Sequence, residues 1–359
     1  MYGRVGNVPA IAPQPSSFKR LVRGQLRNIA GFAISIACIA FMFWKIDFHQ
    51  VGTAIASFKW SYLVAGLGAL AAGYAMRILR WSVMLRAAGA AVSFSNCVAP
   101  FLGSIAMNNV LPARLGDVVR ALVFPAALGI SKTASTGSLV LERLIDLATI
   151  LGFLAAALVF HPAVEVPETI KVSVSILVVL TIVGLITVLL LSGSLSGLFL
   201  QLSERSFGKH SALVKRGLLA LVQLLASFRA MAQLRVLGVV VILSVLAWIG
   251  EAGLYWALLA GFGITAGLTS AVLVMTITTL ATLVPSSPGY IGPFHLAAFA
   301  AVSLLGSAPD AAASFAVLAH VCIWLPTTLA GAIAILLNPG LFGGLRKPRS
   351  RSDDNVRQA

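Results

Sequence analysis

The stretch NNVLPARLGDVVR, residues 108–120, places a proline, a glycine, two arginines and an aspartate inside sequence of membrane type. No charged residue lies between Arg86 and Arg114, so these polar residues follow directly on apolar ones. Backbone that cannot stay helical is tolerated at membrane depth only where protein or a water-filled cavity satisfies its polar groups. We therefore interpret residues 108–120, the first break, as a candidate site at which a membrane segment is interrupted.

A second break, PSSPGYIGP, covers residues 285–293 in the other half of the chain. It lies within 252–309, a charge-free run of 58 residues that is too long for one membrane span. Its glycines allow close approach of the backbone, and it offers hydroxyls and free backbone groups rather than charge. We interpret it as a re-entrant turn rather than a solvent loop, with Pro288, Gly289 and Gly292 as candidate substrate-binding residues.

The composition of the chain is that of an integral membrane protein. Of its 359 residues 59% are hydrophobic and 10% are charged, whereas soluble domains carry about 25% charged residues. The net charge of +15 could suggest a nucleic-acid partner, but the basic residues lie in clusters between apolar runs. Since no polar segment is long enough to form a nucleic-acid-binding domain, we expect no nucleic-acid partner. The dispersed Cys38, Cys97 and Cys322 predict small core residues rather than disulfides or metal ligands.

Charge-free runs predict an all-α fold with six to eight transmembrane helices, since a helical span needs about 20 mostly apolar residues. The runs are 28–44, 60–76, 147–164, 172–203, 236–250, 252–309 and 311–345. Lys45-Ile46-Asp47 follows the first run where a signal peptide would have a small-residue cleavage site, so we interpret 28–44 as an uncleaved span.

The distribution of Lys and Arg predicts the orientation. Both tails and the 193–235 loop are basic and are assigned to the cytoplasm, whereas the 161–171 loop contains Glu165 and Glu168 and is assigned to the outside. The simplest path has spans near 28–45, 61–80, 134–160, 171–192, 236–260 and 311–338, with hairpins at 94–130 and 267–306. The alternative makes 267–306 two complete crossings, which gives eight spans.

In the six-span arrangement the two hairpins enter the membrane from opposite faces. This pattern is typical of inverted-topology repeats, whose interrupted segments meet around a substrate near the midplane. No residue-level repeat is visible, so the symmetry rests on the positions of the breaks and on loop charge. The predicted domains are a basic tail at 1–27, a membrane domain at 28–338 and a basic tail at 339–359.

Within the first break, Pro112 ends the preceding helix and Asp117 is a candidate N-cap of a new one. A helix N-terminus suits an anionic group such as a lipid phosphate, and Arg114 and Arg120 would add bidentate donors. The alternative is that both arginines are cytoplasmic positive-inside residues, with Arg120 paired to Asp117. The candidate binding residues of this break are Asn108, Pro112, Arg114, Gly116 and Arg120.

Charges also occur early in the third span, in the motif Glu142-Arg143-x-x-Asp146. Glu142 and Asp146 share a helix face, and Arg143 is within reach of Asp146. Charges inside spans are functional candidates by default. The alternative, equally open, is a structural ion pair that locks this span to a neighbour such as Arg114 or Arg120.

Other polar residues carry weaker signals. Arg77 and Arg80 beside Trp81 at the end of the second span are predicted as headgroup-facing, snorkelling anchors rather than binding residues.

Glu251 in the fifth span is a candidate for proton coupling or for binding a cationic headgroup, and its alternative is an interfacial residue near Tyr255 and Trp256. His295 and His320 are isolated in sequence without metal-ligand spacing, so we expect no metal. His295 is retained as a candidate binding residue because it lies three residues after Gly292.

Three motifs in order carry a resemblance to a known family. They are Asn108-x-x-x-Pro112-x-Arg114-x-Gly116-x-x-x-Arg120, then Glu142-Arg143-x-x-Asp146, then Pro288-Gly289-x-x-Gly292, with Arg80-Trp81 in addition. Over about residues 20–340 the chain resembles the flippase-like membrane domain of lysylphosphatidylglycerol synthases. The resemblance implies translocation of a polar-headed lipid between leaflets, with re-entrant segments around a central cavity. The family often has an acidic residue where this chain has His295, which favours a neutral, glycosylated or anionic lipid over a cationic one.

We therefore expect a lipid translocator in a bacterial or archaeal cytoplasmic membrane, with both termini in the cytoplasm. About 20 polar residues follow the last span, so the aminoacylation performed by bifunctional family members is not expected. No nucleophile triad, phosphate-binding loop or zinc pattern is visible, so we expect neither enzymatic activity nor a cofactor. The alternatives are an accessory membrane subunit of a glycosyltransferase or other lipid-modifying enzyme, and a lipid-modifying enzyme with Glu142, Asp146 or Glu251 as base.

Overall fold

The computed structural model describes residues 34–41, 48–160, 167–204, 212–264, 267–284 and 286–345. Within those ranges the chain is helical with short connections and contains no strand, which confirms the predicted all-α class. The predicted tail at 1–27, residues 346–359 of the predicted tail at 339–359, the acidic residue Glu165 and the first proline of the second break, Pro285, lie outside the described residues.

Thirteen helices account for most of the described chain. They are α1 (34–41), α2 (Phe48–Ala56), α3 (Trp60–Ala87), α4 (Phe94–Val110), α5 (Leu115–Leu122), α6 (Phe124–Leu128), α7 (Lys132–Phe160), α8 (Glu168–Glu204), α9 (Ala212–Met231), α10 (Leu234–Gly261), α11 (Leu268–Ala281), α12 (Pro293–Ser303) and α13 (Pro309–Leu337). Short 3-10 turns occupy Pro112–Arg114, Pro288–Tyr290 and Pro339–Leu345.

Five helical segments of the described chain are long and apolar enough to cross a membrane: Trp60–Ala87, Lys132–Phe160, Glu168–Thr187, Leu234–Gly261 and Pro309–Leu337. They coincide with predicted spans two to six. The first predicted span is described only over 34–41, where it is helical. The chain is therefore a multi-pass membrane protein.

The two hairpins contain shorter helices. α4 has 17 residues, and α11 and α12 have 14 and 11. At about 1.5 Å per residue, α11 and α12 are roughly 21 and 17 Å long, well short of the ~30 Å of the bilayer core. The structure therefore supports a re-entrant hairpin at 267–306, and the alternative of two complete crossings fails on length.

The prediction of a loop at 193–235 is wrong, because most of this range is helical. α8 continues to Glu204, and α9 packs against both α7 and α8. Leu225, Phe228 and Met231 of α9 are buried among residues of α3, α4 and α7. These three residues follow the helical spacing of an amphipathic stripe, which a search for charge-free runs does not register because basic residues interrupt it.

The helix contacts form two matching sets. α3 packs against α10 at the centre, α4 packs against α13, and α7 packs against α11. Within each half, α5 contacts α7 and α12 contacts α13. Exchanging α3, α4, α5 and α7 for α10, α11, α12 and α13 leaves this pattern unchanged. Such exchange is expected of two repeats related by a twofold axis, so the packing supports the predicted inverted repeat.

Close contact between helix backbones holds the centre together. A Cβ atom at Gly250 of α10 would lie 2.6 Å from the carbonyl oxygen of Ala69 in α3. At Gly331 of α13, a Cβ atom would overlap the carbonyl oxygen of Leu102 in α4. Small residues at such crossings let membrane helices approach closely enough for extensive van der Waals contact. The hairpins are thereby fixed against the long helices and positioned for the site.

Candidate functional site

The first break is a strained connection between two short helices. α4 ends at Val110, Leu111 is extended, and Ala113 and Arg114 have φ angles of 57° and 53°. Two consecutive left-handed residues without glycine are uncommon, and such backbone is held only where its surroundings over-determine it. α5 then begins at Leu115 and runs back alongside α4.

Asn108 and Gly116 hold the shape of the first break. A Cβ atom at Gly116 would overlap the carbonyl oxygen of Ser104, so only glycine lets α5 lie so close to α4. The Asn108 amide donates to the Asp117 carboxylate at 2.9 Å, and its oxygen accepts from the Asp117 backbone N–H at 3.0 Å. Asp117 is therefore not the N-cap that the sequence predicts. It lies in the first turn of α5, and Asn108 of α4 satisfies its N–H.

The second break is a tight turn that packs against α1. Gly289, Tyr290 and Gly292 have φ angles of 76°, 60° and 103°. A Cβ atom at Gly292 would lie 2.6 Å from the Cα atom of Ser35, so glycine is needed for this close approach, as predicted. The Ser287 backbone N–H donates to the Ser35 hydroxyl at 3.0 Å.

The two breaks meet in space. The Arg114 guanidinium donates to the carbonyl oxygen of Thr282 at 3.4 Å and lies 5.5 Å from the ring centre of Tyr290. The Trp324 indole N–H of α13 donates to the carbonyl oxygen of Asn109 at 3.3 Å. A cavity of about 160 Å³ lies between the breaks, and an adjoining one of about 400 Å³ is lined by residues of both. The sequence prediction of two breaks around one site agrees with this geometry.

An ion pair lies on the wall of the smaller cavity. Arg77 donates to Glu251 at 2.6 Å, and its guanidinium lies 4.2 Å from the ring centre of Trp248. Both charged side chains are largely buried, with 12% and 13% exposure. The prediction of Arg77 as a snorkelling anchor is therefore wrong, and Glu251 is neither a lone carboxylate nor an interfacial residue. α3 extends past this point to Ala87, so Arg77 lies at the depth of the cavity rather than at the helix end.

Arg80 and Trp81 are also not anchors at a membrane surface. Both are 0% exposed, because this part of α3 faces α7 and α10. Arg80 pairs with Asp146 of α7 at 2.5 Å, and the Trp248 indole donates to the same carboxylate at 3.1 Å. The Trp81 indole donates to the Ser138 hydroxyl at 3.0 Å. Buried side chains with partners on neighbouring helices stabilise helix packing rather than contact headgroups.

The motif in α7 reaches across to the first break. Arg120 pairs with Glu142 at 3.0 Å and is 1% exposed. Arg143 pairs with Asp117 at 3.0 Å, so the predicted contact between Arg143 and Asp146 is not formed. The alternative that the motif locks the third span to Arg120 is the one the structure shows. Because Arg120 is enclosed in this pair, it does not line either cavity, and the predicted phosphate contact is not available to it.

The charges around the site divide into a balanced set and one remaining cation. An ion-pair network contains three arginines and three carboxylates, namely Arg80, Arg120 and Arg143 with Asp117, Glu142 and Asp146, and all of them except Arg143 are mostly buried. Arg77 and Glu251 balance each other. Among the described residues, Arg114 has no carboxylate within 4.0 Å, and it lines both cavities. A membrane-embedded cation without a partner attracts an anionic group.

A family model, described as the lysylphosphatidylglycerol synthase TM region, matches residues 28–331. This chain belongs to that family. A stretch of 131 residues is 29% identical to glycosyltransferase AglD of Haloferax volcanii, which is 36% of this chain and 21% of that protein. The chain thus matches about a fifth of the length of this curated relative. Comparison with solved structures finds no match.

In this member of the lysylphosphatidylglycerol synthase TM region family, the site includes residues that the sequence did not single out. Trp324, Asn109 and Tyr290 line the cavity, and the histidines predicted to be isolated lie with ring centres 4.6 Å apart. His320 lines the cavity and bonds the Gly289 carbonyl oxygen at 2.7 Å, whereas His295, a predicted binding residue, does not line it. Asn109 and Tyr290 belong to the breaks and could have been found there, but the α13 residues become neighbours only through tertiary packing.

The described residues contain no group of three His, Cys, Asp or Glu side chains placed to hold a metal ion. Cys97 and Cys322 are buried among core residues, as predicted, and Cys38 is half-buried. Within the described residues, the site is a polar cavity lined by one arginine, Arg114, that has no carboxylate partner.

Proposed function

We propose that this protein moves a lipid with an anionic, phosphate-containing headgroup between the leaflets of a bacterial or archaeal cytoplasmic membrane. The headgroup occupies the cavity between the two breaks while its acyl chains stay in the bilayer. The proposal rests on one observation: Arg114 lies where the breaks meet and lacks a carboxylate partner among the described residues. Membership of the flippase-like family and a multi-pass helical fold are consistent with this role.

The chemistry of Arg114 suits a phosphate. Its planar guanidinium can present two parallel N–H donors to phosphate oxygens, and it keeps its charge at every accessible pH. In the structure it makes one long hydrogen bond, 3.4 Å to Thr282, and a ring contact to Tyr290. Both contacts are weak compared with a charge-assisted bond, so a phosphate can replace them. Nearby Asn109 and His320 offer further polar contacts to the headgroup.

Movement between leaflets follows from the two-part architecture. Each break belongs to one half, and the two halves contact each other through α3 and α10. Rocking of one repeat against the other around a fixed midplane site opens such a cavity to each side in turn. Both termini are assigned to the cytoplasm in this proposal, following the basic tails.

Reconstitution in liposomes tests the proposal. Fluorescently labelled phosphatidylglycerol is placed in one leaflet, and its transfer is followed by chemical quenching of the outer leaflet. The native protein is expected to accelerate transfer, and Arg114→Ala is expected to reduce the rate at least tenfold, since loss of a charged partner to phosphate corresponds to about 1.5–3 kcal/mol. Arg235→Ala is the matched control, because Arg235 is exposed at the start of α10 and remote from the cavities.

Two results would contradict the proposal. Transfer by native protein no faster than in protein-free liposomes would exclude translocation of this lipid class. Equal rates for Arg114→Ala and native protein would remove Arg114 from the site. A labelled diacylglycerol, which lacks phosphate, serves as the substrate control and is expected to be insensitive to Arg114→Ala.

A second function is suggested by the similarity to AglD, a glycosyltransferase. Under this alternative the chain is an accessory membrane subunit that holds a lipid-modifying enzyme, with no catalytic step of its own. Purification from native membranes distinguishes the two. A stoichiometric enzyme partner together with no lipid transfer in liposomes would favour the accessory role, whereas transfer by the isolated protein favours translocation.

A further inference from the structure

Glu251 differs from the other embedded carboxylates in how it is held. Asp146 receives bonds from Arg80 and Trp248, and Asp117 receives bonds from Asn108 and Arg143. Glu142 accepts one side-chain hydrogen bond, from Arg120, but it also lies 3.7 Å from Arg80. Glu251 accepts one side-chain hydrogen bond, from Arg77, which is its one cationic partner within 4.0 Å among the described residues. Of these four carboxylates, Glu251 alone lines the cavity. Its negative charge in the membrane interior therefore depends on a single partner.

Arg77 is at the same time a cation facing the proposed headgroup site. Arg77 and Arg114 line the same cavity of about 160 Å³. A phosphate that enters this small space lies close to both guanidinium groups and competes with Glu251 for Arg77. The arginine can bind phosphate through two parallel donors, whereas it gives Glu251 one hydrogen bond.

We propose that binding of the anionic lipid displaces Glu251 from Arg77 and that Glu251 then takes up one proton, so that lipid and proton move together. This inference rests on the proposed function and names its coupling ion. A carboxylate left in a low-dielectric site without a partner strongly favours its neutral form. The charges balance: one phosphate anion and one proton enter, the Arg77–Glu251 ion pair is replaced by an Arg77–phosphate pair, and the net charge of the cavity is unchanged.

Among the charged and titratable groups around Glu251, Glu251 is the one expected to change its protonation when lipid binds. On α3 these are Arg77 and Tyr74, on α7 Arg143 and Asp146, on α10 Tyr255, at the breaks Arg114 and Tyr290, and on α13 His320. α11 contributes threonines there. The arginines stay charged at every accessible pH, and Asp146 keeps its bonds to Arg80 and Trp248 when lipid enters. His320 bonds the Gly289 carbonyl rather than Glu251, so it is a second titrating group that the experiment must separate.

The linkage has a defined sign. The lipid-bound protein holds one proton more than the empty protein, so acid favours binding. The dissociation constant is expected to rise about tenfold for each unit of pH increase over the range in which Glu251 is ionised when empty and protonated when loaded. By reciprocity, each lipid that binds causes the protein to take up one proton from solution.

Isothermal titration calorimetry on the full-length protein in detergent measures this proton directly. Short-chain phosphatidylglycerol is the probe, because its phosphodiester does not change charge over about pH 5 to 8, where histidine is the side chain that ordinarily titrates. Titrations in two buffers of different ionisation enthalpy give the number of protons taken up. One proton per bound lipid is expected for the native protein, and none for Glu251→Gln, which should bind at high pH at least as tightly as native.

Three further variants make the result decisive. Arg77→Gln leaves Glu251 without its partner, and therefore already protonated, before lipid binds. Weaker lipid binding without proton uptake is expected for this variant, which tests the coupling even if Glu251→Gln fails to fold. Glu168→Gln makes the same chemical change at an exposed carboxylate and is expected to match the native protein. If native protein binds lipid without taking up a proton, the coupling is wrong and translocation is unaffected. The same conclusion follows if proton uptake persists in Glu251→Gln and disappears in His320→Asn. Absence of both lipid binding and liposome transfer instead contradicts the proposed function.

Discussion

Arg77 and Arg80 of α3 lie three residues apart but have different roles. Arg80 is fully buried and receives two partners in the network, Asp146 and Glu142. Arg77, three residues earlier, faces the cavity, and Glu251 is its one carboxylate partner among the described residues. The difference lies in the number of partners and in access to the cavity, and it separates a charge that maintains the packing of helices from one that a substrate can reach.

The same comparison applies to the two arginines of the first break. Arg120 is enclosed by Glu142 and by the rings of Trp81 and Phe101, at 5.3 and 4.7 Å from its guanidinium. Arg114 has one carbonyl contact and lines both cavities. A buried charge whose partner is removed destabilises the fold strongly, whereas a cavity-facing charge is within reach of an incoming anion. Substitutions in the two groups should therefore fail in different ways.

The largest effect is expected for Asp146→Ala. This change leaves Arg80 buried without its 2.5 Å partner and removes the acceptor of Trp248. Breaking one side of a buried pair costs about 3–5 kcal/mol, so most of the protein should aggregate or melt at a much lower temperature. Thermal unfolding in detergent, followed by size-exclusion chromatography of the heated sample, measures the loss.

The control for Asp146→Ala is Glu251→Gln, which changes a carboxylate of the cavity group and should melt close to the native temperature. The double variant Arg80→Met with Asp146→Leu should recover much of the stability, because it removes both buried charges together. A melting temperature of Asp146→Ala equal to native would mean that the network does not stabilise the packing, and the division of arginines would fail.

These partners mark the limit of what the sequence predicts. Charge-free runs and the positions of Pro112 and Pro288 were enough to place spans two to six and both breaks. The pairing of Arg80 with Asp146, 66 residues apart, depends on which helix faces meet and has no local signal. Arg143 was assigned to Asp146 by helical spacing, although it pairs with Asp117 across the hairpin. Sequence spacing describes neighbours on one helix, whereas membrane charges find partners on others.

An intermediate effect on stability and transfer is expected for Gly116→Ala, at a position where packing rather than charge shapes the first break. In Gly116→Ala the new methyl group would overlap the Ser104 carbonyl and approach Asn108, so α5 must move away from α4. Overpacking of this kind costs about 1–3 kcal/mol. Arg114, at the start of α5, moves with it, so lipid transfer should fall by more than the melting temperature suggests.

Gly68→Ala is the matched control for this change, because a Cβ atom at Gly68 of α3 meets nothing within 4 Å. There the replacement should leave stability unchanged or raise it by up to about 1 kcal/mol, since alanine is the better helix former. Parallel melting curves and liposome assays compare the two. Normal transfer by Gly116→Ala would show that the close approach of α5 to α4 is not needed to position Arg114.

The smallest effect is expected at the contact between the halves, in Trp324→Phe. The indole N–H of Trp324 donates to the Asn109 carbonyl at 3.3 Å, and phenylalanine keeps the ring while removing this donor. One neutral hydrogen bond contributes about 0.5–1.5 kcal/mol, so a small decrease in melting temperature and a few-fold change in transfer rate are expected. Trp256→Phe, at a 41% exposed position, should change neither quantity. If the Trp324–Asn109 hydrogen bond must open during transport, Trp324→Phe will transfer lipid faster than native protein. A slower transfer rate would show instead that this contact positions the first break for lipid binding.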